Sequence, residues 1–261
     1  MIAMAQQPSA HLFSQAEVSQ FERDGYIIVR GLAARSQCGD MLEIARAALA
    51  QKIAPMEYEA DVHYPGAPST REAPGGDTAR RLLQAYARHP LFAQWATAPQ
   101  VTQRLQQLLG TRLVLAQANH NCIMTKQPAY SSVTGWHQDF RYWSFEKAQL
   151  VNVWLALGHE SAENGCLKIL PGSHRMQFAR ERLDDTLFLR PDLPENQALI
   201  ETQLLAQLEP GDTLFFHCLT LHAAGCNRTD QTKFSLVYTY HTDDNLPLNG
   251  TRSAQVPEIN I

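Results

Sequence analysis

His137, Gln138 and Asp139 stand in a row, and His222 lies far downstream. A histidine and an aspartate two positions apart project from one face of a β-strand, because side chains there repeat with period two. A second histidine from a distant strand would complete a cap of two imidazoles and one carboxylate on one side of a metal ion. Such a cap is the facial triad of non-haem Fe(II) oxygenases, which leaves coordination positions open for cosubstrate and dioxygen. His-x-Asp alone arises often by chance, so the weight falls on its surroundings. Two histidines compete for the distal place: His217 closes Gly211-Asp-Thr-Leu-Phe-Phe-His217, and His222 opens His222-Ala-Ala-Gly-Cys-Asn227.

The surroundings form a series. Thr134-Gly-Trp-His-Gln-Asp-Phe-Arg-Tyr142 is followed by Val151-Asn-Val-Trp-Leu-Ala-Leu157 and Glu163-Asn-Gly-Cys-Leu-Lys-Ile-Leu-Pro-Gly-Ser-His174. Then come Glu209-Pro-Gly-Asp-Thr-Leu-Phe-Phe-His217 and Leu221-His-Ala-Ala-Gly-Cys-Asn227. In this order and spacing they resemble the phytanoyl-CoA dioxygenase family, over about residues 14–242. Phe21-Glu-Arg-Asp-Gly-Tyr-Ile-Ile-Val29 resembles that family's N-terminal helix followed by a strand. The resemblance implies an enzyme that uses Fe(II), 2-oxoglutarate and O2, with His137, Asp139 and His222 as catalytic metal ligands. It leaves His217 as a nearby residue that does not ligate. His120, His159 and His174 are read as packing or supporting groups. Related iron halogenases carry a small residue at the carboxylate position. Asp139 therefore favours hydroxylation of a small molecule, with release of succinate and CO2.

The resemblance also implies a cation for the far carboxylate of 2-oxoglutarate, usually an arginine eleven residues after the distal histidine. Here that residue is Lys233, a departure from the pattern. Lysine keeps the charge and loses arginine's bidentate fork. Ser235, two residues on, shares the strand face and offers a hydroxyl. Arg228 is the rival cation, in a turn that reads as solvent-facing, and Ala224 replaces a hydroxyl residue frequent at its position. Trp154 matches a pocket aromatic. Phe140, Arg141, Tyr142 and Trp143 leave the metal strand as a wall of the substrate mouth. Tyr58, His63, Tyr64 and Arg71 lie in a Pro/Gly-rich loop, 55–78, that reads as a lid.

These residues need a scaffold. Residues 14–24 read as a helix capped by Ser14 and Glu17, and Tyr26–Val29 as a strand. Helices are expected over 36–52, 79–96 and 99–109. Short runs separated by turns follow, at 112–118, 120–126, 133–138, 150–157, 166–170, 204–208, 213–217 and 234–241. The pattern is a mainly β fold with N-terminal helices: a double-stranded β-helix, the jelly-roll barrel of cupin type. One domain is expected over 1–261, with a helical part at about 14–110, a barrel core at about 112–242 and an extension at 243–261.

Composition bounds the function. A net charge of −4 without a Lys/Arg-rich run gives no sign of a nucleic-acid partner. No apolar run has membrane-spanning length. Residues 1–10 lack a basic stretch before an apolar core and read as a frayed tail, not a secretory signal. Five cysteines without a Cys-x-x-Cys pair fit a reducing cytoplasm. Two rivals stand beside the oxygenase: a cupin-type metalloenzyme that does not use 2-oxoglutarate, kept open by Lys233, and a non-catalytic barrel that only binds a small molecule.

Overall fold

The computed structural model describes residues 11–261, and the expected tail of residues 1–10 lies outside the described residues. Helix α1 (Gln15–Asp24) starts at a capping box, in which the Ser14 hydroxyl accepts the Glu17 N–H and the Glu17 carboxylate accepts the Ser14 N–H. Such a cap contributes about 1 kcal/mol. Gly25 ends the helix at φ +79°, and a β-carbon there would lie 2.4 Å from the His174 ring. The chain turns at once into β1 (Tyr26–Val29) and then α2 (Arg35–Ala50), which buries Cys38, Met41, Ala45 and Ala48 along one helical stripe.

Strand β2 (Met56–Tyr58) falls inside the loop expected over 55–78, and β3 (Ala79–Leu83) follows it. The helix expected over 79–96 thus begins as a strand. Ala79-Arg-Arg-Leu-Leu has helical propensity, but Arg81 pairs with Glu57 on β2 and stands in register with Met124. Tertiary pairing overrides propensity here. Helix resumes in α3 (Ala85–Arg88), α4 (Pro90–Ala96) and α5 (Pro99–Leu109).

The two strands expected over 112–126 are one, β4 (Leu113–Lys126). There follow β5 (Thr134–His137), β6 (Val151–Ala156), β7 (Leu167–Ile169), α6 (Pro194–Ile200), β8 (Leu204–Ala206) and β9 (Thr213–His217). The chain ends with β10 (His222–Ala224), β11 (Lys233–Thr242), α7 (Arg252–Gln255) and β12 (Ile259–Asn260). One antiparallel sheet runs β1-β9-β6-β11-β4-β3-β2, with β12 added on β4; the other runs β5-β10-β7-β8. The two face each other as an open jelly roll, mainly β with N-terminal helices. None of the described helices is long and apolar enough to cross a membrane.

β11 shows why the large sheet is buried on both faces. Phe234, Leu236, Tyr238 and Tyr240 join the core beneath the helices, with Phe92, Trp95, Met41 and Leu105. Tyr238 and Tyr240 donate their hydroxyls to the carbonyls of Phe92 and Ala96, so neither of these two buried O–H groups goes unpaired. The alternate residues Lys233, Ser235, Val237 and Thr239 face the other way. Val237 packs there with Cys122, Trp154 and Phe216 against Leu167, Ile169 and Ala224 of the small sheet. The β11–β4 register steps from Tyr238↔Asn121 to Thr239↔Ala116, so residues 117–120 bulge out of β4. Bulges re-aim side chains beside functional sites, and this one carries His120.

Candidate active site

β5 ends at His137, two residues short of Asp139, which opens a 3-10 turn, Asp139–Tyr142. Gln138 stays extended, at φ −99° and ψ 134°, so the alternation carries one more step and Asp139 falls on the side of His137. The turn is clamped: Gln138 donates to the Leu219 carbonyl at 2.8 Å and the Phe140 N–H to that of Cys218 at 3.1 Å. Opposite, β10 fits between β5 and β7 with His222 in register with His137. Asp139 Oδ1 then stands 3.5 Å from Nε2 of each histidine. All three side chains are buried, and one potential ligand atom from each lies within 4.8 Å of the others.

Each histidine is held from behind. His137 Nδ1 bonds to the Gly135 carbonyl at 2.8 Å, and His222 Nδ1 to that of Thr220 at 3.0 Å. A carbonyl can only accept, so each Nδ1 carries a proton, and in the neutral ring Nε2 is the nitrogen left with a lone pair facing inward. Asp139 Oδ2 accepts from Asn152 Nδ2 at 2.9 Å, with His120 3.6 Å away. Asn152 is oriented in turn by Thr239 and His120, both bonded to its Oδ1. Asp139 Oδ1 has no hydrogen-bond partner.

Burial pushes His137 down to about 4, with His222 adding to the effect. For Asp139 burial works upward, but His120 and His222 outweigh it and hold the carboxyl well below its usual range. For His222 burial works downward and the Asp139 charge prevails, so its pKa is raised. The centre therefore keeps an ionised carboxylate with one buried oxygen unpaired. That arrangement costs several kcal/mol unless a cation meets it. The donor set, two imidazoles and a carboxylate, fits Fe(II).

The triad opens into a cavity of about 240 Å³, lined also by Trp154, Phe216, Leu167, Ala224, Lys126 and Lys233. This is below the roughly 300–1,000 Å³ usual for ligand pockets. Lys233, Ser235 and Trp154 come together as a group, around a residue absent from the sequence reading. Glu160, fully buried, accepts from Lys233 Nζ at 3.1 Å, from Ser235 Oγ at 2.7 Å and from Trp154 Nε1 at 3.0 Å. Lys126, Arg80, Asn152 and Thr239 were likewise not legible. Lys233 and Glu160 are 73 residues apart, and no local periodicity links them.

His217 points away from the cavity, between the rings of Phe21 and His174. Arg228 is exposed and does not line the cavity. Of the lid loop, Val62 and Tyr64 reach the cavity wall, and the Tyr64 hydroxyl meets that of Tyr142 at 2.6 Å. Arg71 instead covers the Tyr58 ring. Tyr142 lines the cavity; Phe140 and Trp143 pack in a cluster behind it, and Arg141 stacks on Phe188.

A family model described as Phytanoyl-CoA dioxygenase (PhyH) matches residues 21–235. A probable phytanoyl-CoA dioxygenase of Caenorhabditis elegans is 24% identical over 234 residues, covering 86% of this chain and 74% of that protein. The human peroxisomal phytanoyl-CoA dioxygenase is 29% identical over 147 residues, 52% of this chain and only 41% of the human protein. The crystal structure of the epimerase SnoN with Fe3+, alpha ketoglutarate and nogalamycin RO matches with a TM-score of 0.71 at 21% identity, covering 90% of each chain. The chain belongs to the phytanoyl-CoA dioxygenase family, whose members are iron- and 2-oxoglutarate-dependent oxygenases.

Proposed function

We propose that His137, Asp139 and His222 hold the iron of this oxygenase, and that it hydroxylates an unactivated C–H bond of a small molecule. The observation that carries the reading is Asp139 Oδ1: buried, ionised, without a hydrogen bond and 3.5 Å from two inward-facing imidazole nitrogens. When bound, iron with 2-oxoglutarate and O2 supplies an oxidant for C–H bonds and yields succinate and CO2. The chain does the rest. Gly135 and Thr220 fix both imidazoles, and Asn152 fixes the carboxylate. An iron held by these three residues would be reached by cosubstrate and dioxygen from the cavity. Trp154, Leu167 and Phe216 give that space an apolar stretch of wall.

Lys233, Ser235 and Trp154 mark the end of the cavity that receives the far carboxylate of 2-oxoglutarate. The substrate enters past Tyr64, Tyr142 and the exposed Arg252 of α7. Asp139 fills the position a halide would need, which favours hydroxylation. The substrate is not inherited from the relatives, since a phytanoyl-CoA dioxygenase and an epimerase stand among them. The partner is a small molecule, with no nucleic acid or membrane involved. All five cysteines are free thiols, which suits a cytoplasmic enzyme.

The test is Fe(II) content and succinate release in alanine variants. His137→Ala, Asp139→Ala and His222→Ala should each lose metal and turnover, and His217→Ala should keep both. Metal loss in His217→Ala with retention in His222→Ala would refute the ligand assignment. Metal binding without 2-oxoglutarate-dependent succinate would favour the cupin-type enzyme that does not use this cosubstrate.

A further inference from the structure

The cavity wall carries more charge than the iron needs. Arg81 is paired with Glu57, Arg80 lies within ion-pair distance of Glu57 and Glu59, and Lys233 is matched by Glu160. Glu160 does not line the cavity; it binds Lys233, Ser235 and Trp154 from behind. All three residues thus already serve a carboxylate that the chain itself supplies. An anion arriving at Lys233 meets a neutralised pair.

Lys126 differs. It is the cross-strand neighbour of Lys233 in the β4–β11 register and lines the same cavity. It is 8% exposed, and its Nζ donates to the Ser132 carbonyl at 2.8 Å. No described carboxylate lies within 4 Å of it, although an ammonium has three protons to give. Room for its stem is built in. Gly165, at φ +75°, lies where a β-carbon would stand 2.9 Å from Lys126 Cδ.

We propose that Lys126 receives the far carboxylate of 2-oxoglutarate, and that Lys233, locked by Glu160, is a positioning residue behind it. This rests on the oxygenase reading above. A buried ammonium facing a neutral carbonyl is incomplete, and a carboxylate completes it with a charge-assisted hydrogen bond. The groups facing Lys126 are Arg80 of β3, Lys233 of β11, Glu59 of the turn after β2, and Cys226 after β10. Burial, with Arg80 and Lys233 adding to it, brings Lys126 down to about 7 in the free protein. Binding above that pH must therefore take up a proton.

The experiment is anaerobic calorimetry of the protein loaded with Zn(II), titrated with 2-oxoglutarate and with 2-oxopentanoate, which has a methyl group where the far carboxylate would be. Lys126→Met should weaken 2-oxoglutarate by about ten- to a hundredfold and leave 2-oxopentanoate unchanged. Near pH 8, in buffers of different ionisation enthalpy, the native protein should take up about one proton on binding and Lys126→Met should not. Lys126→Arg should restore part of the affinity. The double variant Lys233→Met/Glu160→Gln removes the locked pair without leaving a lone buried charge, and should cost clearly less 2-oxoglutarate affinity than Lys126→Met. Thermal melts check that each variant is folded. Native-like binding by folded Lys126→Met, with loss in the double variant, would overturn the proposal and return the anchor to Lys233. If the native protein bound neither 2-oxo acid, the parent reading would fail instead.

Discussion

Asn152 shows how one side chain can govern a centre it does not enter. It gives its amide hydrogen to Asp139 Oδ2 and takes bonds from Thr239 and His120 on its oxygen. This network leaves Oδ1 as the free oxygen, turned toward both histidines. Partners behind metal ligands commonly change metal affinity by roughly 10- to 100-fold when removed. Asn152→Ala should therefore weaken Fe(II) binding by about that factor while the fold survives, because the site is small and flanked by well-packed strands. Anaerobic metal titration checks this, and unchanged affinity would show that Asp139 is held by its turn alone. The three residues proposed as ligands, which the structure brings together, were legible in the sequence because period two and the motif flanks mark them. Asn152 was not, since a lone asparagine inside Val151-Asn-Val-Trp154 gives no sign of its target 13 residues earlier.

Elements place these residues through irregularities that sequence patterns blur. β10 is three residues long, too short for an alternation to register, yet it sets His222 against His137. The β4 bulge that aims His120 sits inside what reads as a break between two strands. β3 hides behind helix-forming residues because its strand state depends on Glu57 and β4, both remote. What was legible, such as α1 with its capping box and β11 with its alternation, rests on local rules. Gly165, in the turn before β7, tests how tightly a connection must hold. An alanine there meets a positive φ and a β-carbon 2.5 Å from the Gly225 carbonyl oxygen. Strain of this kind costs about 1–3 kcal/mol, and the clash adds to it. Gly165→Ala should lower the melting temperature and weaken 2-oxoglutarate binding together, by pushing Lys126. Gly158→Ala, with nothing within 4 Å of its β-carbon, is the matched control and should change neither.

At the scale of the molecule, the large sheet is a shared wall: helices cover one face and the small sheet with the proposed metal centre covers the other. The β class and the helical N-terminal part followed from the run of short strands after helices. The sheet order did not, because pairings such as β1 with β9 join residues about 190 positions apart. His217 closes β9 on that edge and points away from the cavity, which its neighbour Phe216 lines. Its Nδ1 accepts the Leu219 N–H at 3.1 Å, which requires an unprotonated nitrogen. Burial, helped by His174, lowers its pKa to about 4. Above about pH 6.5 neither folded nor unfolded chain protonates this group, so it adds no pH dependence. Between 6.5 and 4 the unfolded chain binds a proton that the folded chain refuses. Stability must therefore fall as pH falls through this window, by up to about 3 kcal/mol from this residue. Asparagine offers an oxygen near the place of Nδ1 and does not titrate. His217→Asn should thus match the native protein near pH 7.5 and lose less stability on acidification to about pH 4.5. Comparing the two proteins by denaturant unfolding cancels the titration of the metal centre, which is common to both. Parallel acid losses in both proteins would show that His217 accepts its proton without disturbing the fold.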